Sequence, residues 1–196
     1  MTGLVSEQNL KRNDTATAGC RLYLTKPLGV GILTTAQKRG ILTTEDADVA
    51  PAQMRQLNKI GAELGEIPGV RAVTDITGFG LLGHLAEVCE GSGVQASLHY
   101  PRVPRLAQAE TYLLQGAVPG GTVRNFQSYG HKVGPLTEEQ KFYLCDPQTS
   151  GVLLVCVEPG AAEAAAQAIF AQYGLALESF GELRAHAEGE PWIVVE

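Results

Sequence analysis

What the sequence lacks narrows its function first. Basic residues are not in excess: 15 Lys plus Arg stand against 21 Asp plus Glu, a net charge of −6. A nucleic-acid-binding surface needs a basic patch, and none is present. The one basic pair, Lys11-Arg12, is too small for a polyanion and reads as a solvated turn. No apolar run is long enough to cross a bilayer, and Met1-Thr2-Gly3-Leu4-Val5 lacks the charged and apolar regions of a secretion signal. The expectation is a cytoplasmic protein with no nucleic acid and no membrane among its partners. Cysteine pairs are missing too. Cys20, Cys89, Cys145 and Cys156 are scattered singly, with no Cys-x-x-Cys and no His at zinc-ligand spacing, which argues against a metal-thiolate site. Cys89 and Cys156 lie in apolar runs as small hydrophobes, and Cys20 has only Arg21 beside it to lower its pKa, so an inert thiol is expected.

What is present suits one domain with a real core, since 196 residues carry 44% apolar content. Arg21–Thr25 reads as a strand, closed by the Pro- and Gly-punctuated loop Lys26–Gly31 and a short helix near Thr35–Arg39. A helix is predicted over Pro51–Leu64, with Met54, Leu57 and Ile60 inward. Val70–Val73 is a strand, followed by a helix on which Leu81, Leu82, Leu85, Val88 and Cys89 recur before Gly91. Val94–Tyr100 alternates like a strand and Ala107–Leu114 is helical, whereas Ala117–His131 has no apolar period and reads as a long ordered loop. Thr137-Glu138-Glu139-Gln140 is a capping box opening a helix to Leu144. Strand Val152–Val157, a helix over Pro159–Tyr173, and strands near 177–183 and 192–195 complete an α/β chain, a mixed β-sheet covered by helices.

The chemistry concentrates at Thr74-Asp75-Ile76-Thr77-Gly78-Phe79-Gly80-Leu81-Leu82-Gly83-His84. Gly78-Phe79-Gly80-Leu81-Leu82-Gly83 matches a dinucleotide fingerprint literally, but the acidic residue that should end the next strand is absent; the chain there reads His99-Tyr100-Pro101-Arg102. Asp75 would repel a pyrophosphate unless a cation intervened, and a carboxylate can bind Mg²⁺ that bridges phosphate oxygens. Equally, Asp75 could cap the following helix while the glycines make a turn. On the residues alone both readings stay open. Asp146-Pro147-Gln148-Thr149-Ser150-Gly151 reads as a self-stabilised turn, and Lys26 as a solvated lysine at a strand end.

Four strings in order carry a resemblance: Ala18–Gly29, Thr74–His84, Gly116–Thr122 with Arg124-Asn125-Phe126, and Cys145–Gly151. Together they resemble the C-terminal half of the selenophosphate synthetases, in the aminoimidazole ribonucleotide synthetase superfamily, over essentially the whole chain. The resemblance implies ATP-dependent conversion of selenide to selenophosphate, AMP and phosphate, with ATP and Mg²⁺ in a site completed by the chain's own N-terminal domain. It implies a homodimer for the full-length protein. The nucleophile, a nearby lysine and most metal-binding aspartates would sit in the N-terminal half, leaving no catalytic residue here and making the isolated chain inactive. Residues 1–18, starting from a strand around Thr2–Val5, would be the end of that half and a linker, and 19–196 the C-terminal domain. By the same resemblance Asp75 matches the family's metal ligand, Thr77 and Gly78 would neighbour the phosphates, and the 120–131 loop would border the site. Family members usually carry two glycines after Thr-Ser; here Gly151 is followed by Val152, which leaves the role of that turn open. Alternatives are a non-catalytic binding or assembly module of the same fold, thiamine-phosphate kinase or a purine enzyme of the superfamily, and a nicotinamide-dependent enzyme.

Overall fold

A computed structural model describes residues 4–196. Six strands form one mixed sheet in the order β2-β4-β1-β5-β3-β6, with β1 Arg21–Leu24, β2 Val70–Ile76, β3 Val94–Leu98, β4 Val152–Val157, β5 Gly181–Ala185 and β6 Ile193–Val195. All pairings are antiparallel except β3 with β6. β4 is an unbroken apolar run of Val, Leu and Cys buried at every position, as a strand covered on both faces must be. One sheet face packs Leu22, Leu24, Ile76 and Leu154 against Leu81, Leu82 and Leu85 of α4 (Gly80–Ser92), with Tyr129 of α6 (Gly120–Tyr129) and Leu144 of α7 (Glu138–Leu144). The other packs Tyr23, Val155 and Val157 against Leu64 of α3 (Ile60–Gly65) and Phe170 of α8 (Ala161–Gln172). Helices α1 (Val30–Lys38), α2 (Val49–Arg55) and α5 (Ala107–Leu114) form a third apolar cluster.

The architecture is the expected mixed sheet covered by helices, and the Thr137 capping box forms in both directions with Gln140. Several boundaries differ. The Pro51–Leu64 helix breaks into α2 and α3, and Leu57, expected inward, is 73% exposed. The break lets Gln56 O accept from Lys26 Nζ and Asn58 Nδ2 donate to Gly151 O. Helix α1 starts at Val30, inside the stretch expected as loop. Helix α4 runs past Gly91 to Ser92 and ends on the left-handed Gly93. The last strand pair begins at Gly181, not near 177.

The stretch expected as a long loop is α6 followed by a short 3₁₀ turn. Its inward residues Thr122, Asn125, Phe126 and Tyr129 keep helical spacing, but two are polar, which hides the period. Of the strand expected around Thr2–Val5, Thr2 lies outside the described residues, as does Gly3; Leu4 and Val5 are exposed and form no strand. Lys11 and Thr15 do not read out as a free turn: Lys11 Nζ donates to Ile67 O at 3.0 Å and Thr15 Oγ1 to Arg71 O at 2.7 Å, which ties this segment to β2 and the turn before it.

Candidate functional site

Asp75 is the sixth residue of β2, paired across the ladder with Leu153. Its side chain is exposed and makes no hydrogen bond or ion pair among the described residues. It is not a helix cap: four residues separate it from the start of α4, whose N-cap is Phe79 and carries no side-chain bond. Asp75 borders a groove of about 520 Å³ together with Lys11, Arg12, Asp14 and Thr74. A carboxylate with both oxygens free, facing a groove, fits a hard cation that keeps most of its shell from water and phosphate. It fits as one ligand only, since no group of three or more His, Cys, Asp or Glu gathers among the described residues.

The three glycines of the 78–83 motif divide by physical role. Gly80 has φ +70°, and a Cβ there would lie 2.7 Å from the Cys145 carbonyl carbon. A Cβ on Gly83 would lie 2.8 Å from the Tyr129 ring. Both are packing glycines. Gly78 alone meets nothing within 4 Å and has ordinary φ, so the fold does not demand glycine there and its open face is available to a ligand. Asn125 fixes this loop, with Nδ2 donating to Gly78 O at 2.8 Å and Cys145 O at 3.0 Å, while Tyr129 donates to Phe79 O at 2.5 Å. Thr77 is half-buried, with Oγ1 3.2 Å from His84 Nε2. Asp75, Thr77 and Gly78 thus follow one another from strand end to helix start, and α6 borders them through Asn125.

The Asp146–Gly151 turn packs beside them. Gln148 N donates to Thr77 O at 2.9 Å, and a Cβ on Gly151 would stand 3.1 Å from Asp75 Cβ and 3.3 Å from Thr77 Cγ2. Val152 points instead into the core of the first sheet face, so the missing second glycine does not narrow the approach to Asp75. Lys26, expected as solvated, is 6% exposed and donates to Gln56, Ser150 and Gly151 carbonyls. Nothing in its local sequence except the flanking apolar strand and Pro27 hinted at that burial.

Asp146 is fully buried. Oδ2 accepts from Gly31 N at 3.0 Å and Gln148 Nε2 at 2.8 Å, Oδ1 has no partner, and any side chain on Gly31 would collide with this carboxyl. Burial pushes the Asp146 pKa up to about 8, although Gln148 and the amides opening α1 pull it down. The folded state therefore holds a proton that the unfolded chain releases near 3.8. That contribution to stability is full below this pH, is lost as pH rises towards 8, and changes no further above it. Asp146→Asn is expected to flatten thermal stability across pH 5–8, removing a slope on the order of 1 kcal/mol per pH unit. Melting curves at several pH values check this; parallel wild-type and variant profiles would show the carboxyl ionised throughout.

Residues 17–193 match the family model described as AIR synthase related protein, C-terminal domain. The chain belongs to this family. Among curated relatives, the selenide, water dikinase of Cronobacter sakazakii is 54% identical over 195 residues, covering 100% of this chain and 56% of that protein. That of Pseudomonas aeruginosa is 59% identical over 183 residues, covering 93% and 53%. The chain thus spans about half the length of the curated relatives it matches. Among solved structures, the hydrogenase maturation protein HypE superposes with TM-score 0.68 at 18% identity, over 98% of this chain and 53% of that one. Thiamine-monophosphate kinase from Stenotrophomonas maltophilia gives 0.64 at 17%, over 98% and 54%. These two show that this family domain shares its fold with them. The resemblance read from the four strings and the relatives' names agree.

Proposed function

We propose that this chain is the C-terminal half of a selenide, water dikinase, which makes selenophosphate, AMP and phosphate from selenide, water and ATP. The observation that carries the proposal is identity above 50% across essentially the whole chain to proteins of that name. In this reading residues 1–18 are the end of the N-terminal half and a linker, and 19–196 the domain that closes the site. The complete protein is a cytoplasmic homodimer.

Asp75 supports a specific role for this half. Its free carboxylate would hold one Mg²⁺, and the open backbone at Gly78 would let phosphate oxygens approach the start of α4. When bound, the ion neutralises phosphate charge. This chain's part is to present Asp75 on a rigid strand end, with Asn125 and Gln148 locking the loop beside it.

In this reading the described residues supply no reaction centre of their own. Its four thiols are all buried, with burial pushing Cys89 up to about 12 and Cys145 to about 11. Lys26 is committed to three carbonyls. The isolated chain is therefore expected to form no AMP from ATP and selenide with Mg²⁺, and joining it to an N-terminal half from a relative such as the Pseudomonas aeruginosa protein is expected to restore AMP formation. Turnover by the isolated chain, or no turnover by the joined protein with the relative's intact enzyme active beside it, would overturn the reading.

A further inference from the structure

Lys26 is an expensive residue for the fold. Its ammonium is almost fully removed from water and makes no ion pair with a carboxylate among the described residues; Nζ donates to Gln56 O at 2.9 Å and to Ser150 O and Gly151 O at 3.2 Å each. Burying an unpaired charge costs free energy, and an apolar chain of similar length would fill the same space without that cost. The cost of burying the lysine is offset only by what its three donors hold together.

What the cation does is gather three carbonyl oxygens that would otherwise repel one another. Two of them belong to a turn in an unfavourable conformation: Ser150 has φ +61°, the one non-glycine residue with positive φ among those described. The same turn is held by Ser150 Oγ donating to Met54 O at 2.6 Å and by Asn58 Nδ2 donating to Gly151 O at 2.8 Å. Gly151 is also the residue on which Asp75 rests, because a Cβ there would stand 3.1 Å from Asp75 Cβ and 3.4 Å from Asp75 Oδ2. Two contacts therefore connect a buried cation to the carboxylate facing the groove.

We propose that Lys26 is a positioning residue for the Asp75 site, its caged ammonium fixing the Ser150–Gly151 turn as the floor that aims the Asp75 carboxylate at a divalent cation. The inference rests on Asp75 being a cation ligand. It runs opposite to simple electrostatics, in which a nearby lysine weakens cation binding. Tyr173 is the one other titratable group lining the 320 Å³ cavity that Lys26 borders, and its hydroxyl is bonded to Glu63. The Lys26 pKa is lowered by burial and that of Tyr173 is raised chiefly by its hydrogen bond to Glu63, so rising pH discharges the ammonium in the sense that loosens the floor.

The test is titration of the isotopically labelled chain with Mn²⁺ under argon, reading paramagnetic broadening of amide resonances at 74–78 and 149–151. Wild type is expected to broaden there, and Asp75→Asn to abolish it. Absence of broadening in wild type, or its persistence in Asp75→Asn, overturns the Asp75 reading and this proposal with it. Given that site, Lys26→Met is expected to weaken Mn²⁺ about 10-fold, as loss of a supporting group around a metal ligand does. Affinity equal to wild type or tighter sinks the Lys26 role while leaving Asp75 standing. Should Lys26→Met fail to fold, the wild type decides: Mn²⁺ affinity falls in step with the Lys26 ¹⁵Nζ titration if the proposal holds, and ignores that titration if it does not.

Discussion

Asp75→Asn in the joined two-domain protein is expected to lower Mg²⁺-dependent AMP formation by on the order of 100-fold or more, with the melting temperature of this domain unchanged. The size of the activity loss comes from ligand chemistry. Losing a group that merely supports a metal ligand costs about 10–100-fold, and an amide in place of the ligand itself removes both the charge and one hard oxygen. The unchanged melting temperature comes from the surroundings of Asp75. The Asp75 side chain is exposed, makes no bond among the described residues and caps no helix, so Asn fits the same space. Steady-state assays across Mg²⁺ concentration separate the outcomes. A raised Mg²⁺ requirement with residual turnover marks a ligand, whereas unchanged kinetics reduce Asp75 to a solvated strand residue.

Gly80→Ala should produce the largest loss of stability among the motif positions, about 2–4 kcal/mol. Its φ of +70° costs an L side chain about 1 kcal/mol or more. Added to that, the new methyl would meet the Cys145 carbonyl carbon at 2.7 Å, which is backbone and cannot swing aside, a clash of the overpacking kind worth about 1–3 kcal/mol. For a chain of this size the melting temperature should fall by roughly 5–15 °C. Gly78→Ala is the contrast. With ordinary φ and nothing within 4 Å, it should stay within about 0.5 kcal/mol of wild type. Thermal melts of the two variants side by side test this division, and equal losses would mean that Gly78 is held as tightly as Gly80.

The features legible in the sequence are those written in local patterns. The apolar run of β4, the Thr137 capping box and the strand-to-helix passage at 74–85 each declare themselves through neighbouring residues. Asp75 stood out because a carboxylate before bare glycines is chemically unusual. What stayed hidden depends on contacts between distant segments. Helix α6 packs Thr122 and Asn125 inward because Asn125 bonds the carbonyls of residues 47 and 20 positions away, so its buried face does not look apolar. Lys26 is buried by carbonyls more than 100 residues downstream, and a lone lysine before a proline carries no mark of that. The glycine motif was visible, but its division into packing and open positions was not, since it depends on Cys145 and Tyr129.

The strand order has a practical corollary for spectroscopy. β2, with Asp75, forms one edge of the sheet, and β6, ending next to Glu196, forms the other. Five strand spacings separate them, roughly 24 Å. Because Cys20, Cys89, Cys145 and Cys156 are all buried, a cysteine appended after Glu196 would be the thiol most open to a nitroxide reagent. A spin label there and a paramagnetic ion at Asp75 would face each other across the width of the sheet, making the domain its own molecular ruler for whatever closes over the groove.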